Sequence, residues 1–172
     1  GEMAIGLPVV EIFGPTIQGE GGMIGVPTYF VRLGGCDYRC DWCDSMHAVD
    51  EQIWTNFARW MSGKEITREV QDLVQGPKYV TISGGNPAIH KKGGELVDAL
   101  HGANYLVALE TQGTIWQEWI RRCDVVTVSP KGPSSGNVTD MKTLFRFLEN
   151  NQHVGRPSLR SIVKIVVKDG HD

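Results

Sequence analysis

A chain of 172 residues, 41% of them hydrophobic, is long enough for one domain with a proper core and too short to expect two. Its formal net charge of −3, from 17 basic and 20 acidic side chains, excludes the electrostatic footprint of a nucleic-acid binder, since Lys and Arg are scattered rather than gathered into a stripe. No run approaches the ~18 apolar residues that span a bilayer and the first residues show no basic, apolar leader pattern, so no membrane partner is expected and the chain reads as cytoplasmic.

The first apolar run, Val9 to Phe13, is a short strand candidate. The stretch Gly14 to Gly22 follows as a loop whose four glycines let backbone approach a bound molecule, with Gln18 and Glu20 as donors and acceptors. Thr28 to Leu33 reads as a buried strand. Arg32 is out of character in it, and needs either a carboxylate of the protein or a substrate carboxylate as partner.

That strand runs into Cys36, Cys40 and Cys43, three of the only four cysteines in the chain. The odd number leaves a thiol over in any disulfide scheme. Two metal readings remain on spacing: a zinc site completed by His47, or a [4Fe–4S] cluster whose fourth iron has no protein thiolate and is open to a ligand. Soft sulfur donors converging from one loop suit either.

Beyond this loop, Trp54, Phe57 and Trp60 stand three apart and fit successive helical turns. From Glu65, the spacing of Ile66, Val70, Leu73 and Val74 predicts an amphipathic helix ending at Gly76-Pro77. Tyr79 to Ile82 is then a strand broken by Ser83-Gly84-Gly85-Asn86-Pro87. The unit repeats: a helix through Leu96, Val97 and Leu100, a strand Tyr105 to Leu109, and a polar exit Glu110-Thr111-Gln112-Gly113. A helix through Ile115, Trp119 and Ile120 precedes a strand Val125 to Val128 with the exit Ser129-Pro130-Lys131-Gly132-Pro133. Met141, Leu144, Phe145 and Leu148 mark another helix and Ser161 to Val167 a last strand; of Arg156, Arg160, Lys164 and Lys168, which recur at spacings of four, all but Lys164 are read as solvated surface. Cys123 reads as a small buried apolar residue rather than a ligand.

Alternating strands and helices predict parallel β-structure with crossover helices. The cysteine loop and the three polar loops each begin where a strand ends. In a parallel sheet or barrel those exits share one edge, and such folds bind their ligands there.

With an aromatic residue, Trp42, just before its last cysteine, the motif Cys-x3-Cys-x2-Cys resembles the signature of the radical S-adenosylmethionine (SAM) enzymes. Glu11-Ile12-Phe13, Ile17 to Gly21, Arg32, Cys43-Asp44-Ser45, Ser83 to Pro87, Glu110 to Gly113 and Ser129-Pro130-Lys131 together resemble the 7-carboxy-7-deazaguanine synthase family, over nearly the whole chain. The resemblance implies an α/β fold, an incomplete TIM-like barrel of about five or six parallel strands, with residues 1–172 as a single radical SAM domain. It further implies the conversion of 6-carboxy-5,6,7,8-tetrahydropterin to 7-carboxy-7-deazaguanine, a ring contraction with loss of ammonia that belongs to queuosine and 7-deazapurine biosynthesis.

Carried over by position, Cys36, Cys40 and Cys43 would hold a [4Fe–4S] cluster, and Trp42, Asp44, Gly85, Ser129, Pro130 and Lys131 would contact SAM. Ile17, Gln18, Gly19, Arg32 and Ser83 would hold the pterin, and Ser45 would give oxygen to Mg2+. No side chain is assigned as catalytic, because the radical chemistry is carried by the cofactor. The family implies an electron donor such as flavodoxin and a homodimer. Two departures stand out. Asn86 occupies a place where many radical SAM proteins have Glu, and the chain stops at Gly170-His171-Asp172, short of a further helix, strand and closing segment of the relatives, so an array truncated at its C-terminus is expected. The competing functions are another radical SAM reaction, such as glycyl-radical activation of a partner protein, and a zinc-binding interaction module built on Cys36, Cys40, Cys43 and His47.

Overall fold

A computed structural model describes residues 6–19, 21–35, 58–129, 141–151 and 162–165. Seven strands are described: β1 (Leu7–Ile17), β2 (Pro27–Leu33), β3 (Arg59–Met61), β4 (Tyr79–Gly84), β5 (Leu106–Thr111), β6 (Val125–Val128) and β7 (Ile162–Ile165). They form one open sheet in the order β3-β1-β2-β4-β5-β6-β7. From β2 to β7 every pairing is parallel, whereas β1 runs antiparallel to both β2 and β3. Five strands therefore make the expected parallel array, and an antiparallel pair extends one edge.

Three α-helices are described, α1 (Gly63–Gln71), α2 (Gly93–Gly102) and α3 (Met141–Asn151). Alternation along the strands decides what meets them. Tyr29, Val31, Leu33, Val80, Ile82, Val107, Leu109, Val126 and Val128 are buried in one cluster with Ile66 and Val70 of α1, Leu96, Val97 and Leu100 of α2, and Phe147 of α3. Cross-strand register keeps this set on one face, with Val31 beside Ile82, Ile82 beside Leu109 and Leu109 beside Val126. Tyr29 reaches its hydroxyl out of the cluster to donate to the Val74 carbonyl at 2.8 Å, which lets a large aromatic side chain be fully buried without an orphaned donor. Cys123 is buried in the same cluster, as expected.

The alternate residues, Phe30, Thr81, Ala108 and Val125, lie on the second face. Phe13 stacks on Phe30 there with ring centroids 5.2 Å apart, and Met23, in a short 3-10 turn (Gly21–Met23), is buried against Ala108 and Val125.

Several sequence expectations shift. The break expected after Phe13 is a register irregularity within β1, which continues to Ile17. Trp60 lies in the edge strand β3 opposite Pro8, so its spacing from Phe57 and Trp54 marks no helical face at Trp60; the other two fall outside the described residues. Helix α1 stops at Gln71 and leaves Val74 76% exposed. The helix expected through Ile115, Trp119 and Ile120 is only a 3-10 turn, Glu118–Arg122, that still buries Trp119 and Ile120. In α3 the buried aromatic residue is Phe147, not Phe145. Both β4 and β5 run on past the expected breaks, to Gly84 and Thr111. Among the described residues no helix is long and apolar enough to cross a membrane.

Candidate active site

The four strands β2, β4, β5 and β6 end together at Leu33, Gly84, Thr111 and Val128, so the loops that follow them share one edge. Strands β2 and β4 come so close there that a side chain on Gly84, whose φ is +146°, would sit 2.0 Å from the Leu33 carbonyl oxygen. The last residues of the second face make a polar row. Glu11 lies beside Arg32 and Arg32 beside Ser83, while Glu110 lies beside Thr127 and Thr127 beside Lys164.

Arg32 finds its anion within the protein, Nη1 lying 3.0 Å from Oε1 of Glu11. With 29% of its side chain exposed, and five donors on a planar guanidinium, it keeps capacity for a second anion. Ser83 is buried next to it. Gln18 is 6% exposed; its amide Nε2 donates to Glu110 Oε2 at 2.9 Å and its Oε1 accepts from the Gly19 backbone N–H at 2.9 Å. The Gly22 N–H donates to Thr127 Oγ1 at 3.2 Å. The glycine loop is thus folded back over the second face and bonded to its strand ends. Ile17, at the end of β1, is 60% exposed.

The loop after β4 is bonded on both sides. Asn86, fully buried, accepts at Oδ1 from the Thr111 hydroxyl at 2.8 Å and from the Ala88 N–H at 3.2 Å, and its Nδ2 donates to Thr114 Oγ1 at 3.4 Å. Gln112 Nε2 donates to the Gly85 carbonyl at 3.3 Å, and the Ser129 N–H donates to the Thr111 carbonyl at 2.9 Å. On the β2 side, the Asn86 N–H donates to the Gly35 carbonyl at 2.8 Å, and His90 Nε2 lies 2.8 Å from the Gly34 carbonyl oxygen. Burial pushes the His90 imidazole below its usual 6.5, against the pull of that hydrogen bond. The neutral ring must then carry its proton on Nε2, because a carbonyl can only accept.

A family model for the Radical SAM superfamily matches residues 30–150. A 7-carboxy-7-deazaguanine synthase of Bacillus subtilis (strain 168) is 45% identical over 168 residues, 97% of this chain and 69% of that protein. Its counterpart in Bacillus cereus is 41% identical over 167 residues, 96% of this chain and 68% of that protein.

The chain belongs to the 7-carboxy-7-deazaguanine synthase family. It is thereby a radical SAM enzyme, whose superfamily uses a [4Fe–4S] cluster and SAM, and the zinc-module and glycyl-radical readings are not favoured. The crystal structure of QueE from Escherichia coli shares the fold, with a TM-score of 0.60 and 22% identity over 93% of this chain and 84% of that chain.

Of the residues expected to serve this family's site, the structure brings Arg32, Ser83, Gly85 and Ser129 to the edge where β2, β4, β5 and β6 end; Gln18, with Gly19 bonded to its side chain, reaches the second face at Glu110 from the loop after antiparallel β1, and Ile17 pairs with Pro27 at the opposite end of β2. Cys36, Cys40, Trp42, Cys43, Asp44, Ser45, His47, Pro130 and Lys131 lie outside the described residues. The donor chemistry fits a cluster and SAM. Three cysteines follow directly on the exit of β2, the neighbouring exits offer amides, hydroxyls and a carboxylate, and burial pushes the remaining thiol, Cys123, well above its usual range, which keeps it protonated and out of competition. The groove between α1 and α2, lined by Lys64, Arg68, Glu95 and Asp98 among others, is made by those two helices and their flanking residues and by none of the second-face residues. Sequence reasoning missed Thr114 and His90, and placed Thr111 in a site loop without its partner Asn86. Polar residues beside glycine-rich exits carry no spacing signal that marks them as partners of another loop.

Proposed function

We propose that this chain performs the ring contraction of 6-carboxy-5,6,7,8-tetrahydropterin to 7-carboxy-7-deazaguanine, with residues 1–172 acting as one radical SAM domain. The observation that carries the reading is the polar row from Glu11 through Arg32 and Ser83 to Glu110 and Thr127, at the edge from which β2 leads into Cys36. When bound, the cluster and SAM supply the electron and the deoxyadenosyl radical that takes and returns a hydrogen atom.

Cys36, Cys40 and Cys43 hold the cluster in this reading, and Trp42, Asp44, Gly85, Ser129, Pro130 and Lys131 contact SAM. Arg32 meets the pterin carboxylate with the donors that Glu11 leaves free; a guanidinium suits such bidentate recognition. Ser83 lies beside it, and Ile17, Gln18 and Gly19 complete the pterin pocket, with the Gln18 amide preset by Glu110 and Gly19 before any ligand arrives. Folded back on the sheet, the loop carrying Gln18 limits the access of water to the second face. Ser45 gives a hydroxyl oxygen to Mg2+, a hard cation that prefers oxygen donors. Flavodoxin or a similar donor supplies the electron, and the protein works as a cytoplasmic homodimer with neither nucleic acid nor membrane as partner.

Anaerobic reconstitution followed by incubation with SAM, a low-potential reductant and carboxytetrahydropterin tests the reading. Formation of the deazaguanine product without net consumption of SAM is the expected result. A colourless protein with stoichiometric zinc and no iron would reject it, and deoxyadenosine released without product would reject the substrate.

A further inference from the structure

The geometry points to His90 as a positioning residue for the cysteine loop, one that fixes the direction in which the chain leaves β2 toward Cys36. This rests on the reading of Cys36, Cys40 and Cys43 as cluster ligands. Between Leu33 and Cys36 stand two glycines, the residue type with the widest backbone freedom, so the exit has no direction of its own. Both of their carbonyls are held by one short segment that follows β4: Gly34 by His90 Nε2 at 2.8 Å and Gly35 by the Asn86 N–H at 2.8 Å.

That segment is itself anchored from the opposite side. The carbonyl of His90 accepts from Trp119 Nε1 at 3.0 Å and from the Gly93 N–H at 3.1 Å, and the Ala88 carbonyl accepts from Gln117 Nε2 at 3.1 Å. Packing adds to the bonds, since a Cβ on Gly35 would lie 2.7 Å from Ile89 Cδ1 and 3.6 Å from His90 Nε2. Trp119 is buried in the main core. An unbroken line of contacts therefore runs from the core through His90 to the second residue before the first cysteine. Among the described residues the His90 ring is bonded to backbone, the Gly34 carbonyl, and it acts through the backbone it holds.

Two variants separate this role from bulk packing. His90→Gln retains a side-chain N–H donor and His90→Leu retains volume without one. Three quantities are read: amide hydrogen exchange at residues 34–36 in the metal-free protein, the rate at which a chelator strips iron from the anaerobically reconstituted protein, and the EPR spectrum of the reduced cluster with and without SAM. The expected result is exchange and iron loss about three- to tenfold faster in His90→Leu, the equivalent of one net hydrogen bond, with an altered SAM-dependent EPR change and near-wild-type values in His90→Gln. Equal behaviour of wild type and His90→Leu overturns the role, as does equal impairment of both variants. If His90→Leu fails to fold, a folded His90→Gln decides alone, wild-type iron retention supporting the role and rapid loss rejecting it. A wild-type protein without iron would instead condemn the cluster reading, while the exchange measurement would still judge whether His90 holds the exit.

Discussion

Asn86 shows how much a single side chain can carry at this edge. A carboxylate at this fully buried position would keep the acceptor but lose the donor that meets Thr114, and would bring a charge that burial disfavours. The amide has both, and it also shapes the turn through the Ala88 N–H. Asn86→Ala removes the acceptor that Thr111 and Ala88 share, and a loss of about 1–3 kcal/mol is expected in denaturant unfolding. Arg32→Ala is expected to lower kcat/KM for the pterin about 10- to 100-fold, the size of a lost charge-assisted hydrogen bond, while iron content and SAM binding stay at wild-type levels; unchanged turnover would remove Arg32 from the substrate. For His90, a folded-state value held below the ordinary 6.5 by burial means that the unfolded chain takes up a proton first as pH falls. Stability is then lost progressively below about pH 6.5. Denaturation midpoints measured from pH 7.5 to 5 should fall less steeply in His90→Gln than in the wild type.

Among the elements, the helices and strands that emerge where expected are those whose pattern is local. Helix α1 carries its own start signal, Ser62 accepting from the Glu65 N–H while the Glu65 carboxylate accepts from the Ser62 N–H. Its first residue, Gly63, packs against α2 so closely that an added Cβ would lie 2.6 Å from the Glu95 carbonyl oxygen. Gly63→Ala should therefore force the helices apart and lower stability by about 1–3 kcal/mol, read as a shifted urea midpoint at unchanged slope. Elements that depart from expectation are those decided by neighbours. Trp60 extends because β1 offers it an edge to pair with, and Glu110 and Thr111 stay in strand because β6 pairs with them. The apolar spacing of Ile115, Trp119 and Ile120 is satisfied by a single 3-10 turn packed on the core, so periodicity alone overstates it.

The whole molecule converts a one-dimensional list of loops into one edge. Parallel pairing among β2, β4, β5, β6 and β7 places the exits of these five strands on the same side, and the same alternation that buries Val31, Ile82, Leu109 and Val126 against the helices sends Arg32, Ser83, Glu110 and Thr127 to the other face. The cluster is expected to depend on that edge alone. Cys40→Ala should lose its iron after anaerobic reconstitution, whereas Cys123→Ala should retain a wild-type iron-to-protein ratio because its thiol lies in the core; iron loss in the second variant would contradict the assignment.

Much of this was legible in the chain itself. The clustered cysteines, the recurrent strand, polar exit and helix, and the misplaced cation at Arg32 are local signals, and local chemistry suffices to read them. What the residues could not show by their order was who meets whom across long separations. The pairing of Arg32 with Glu11, of Gln18 with Glu110 across 92 positions, and of His90 with Gly34 across 56 positions exists only once the sheet has set its order and register, because a hydrogen bond is decided by distance and angle in space and not by spacing along the chain.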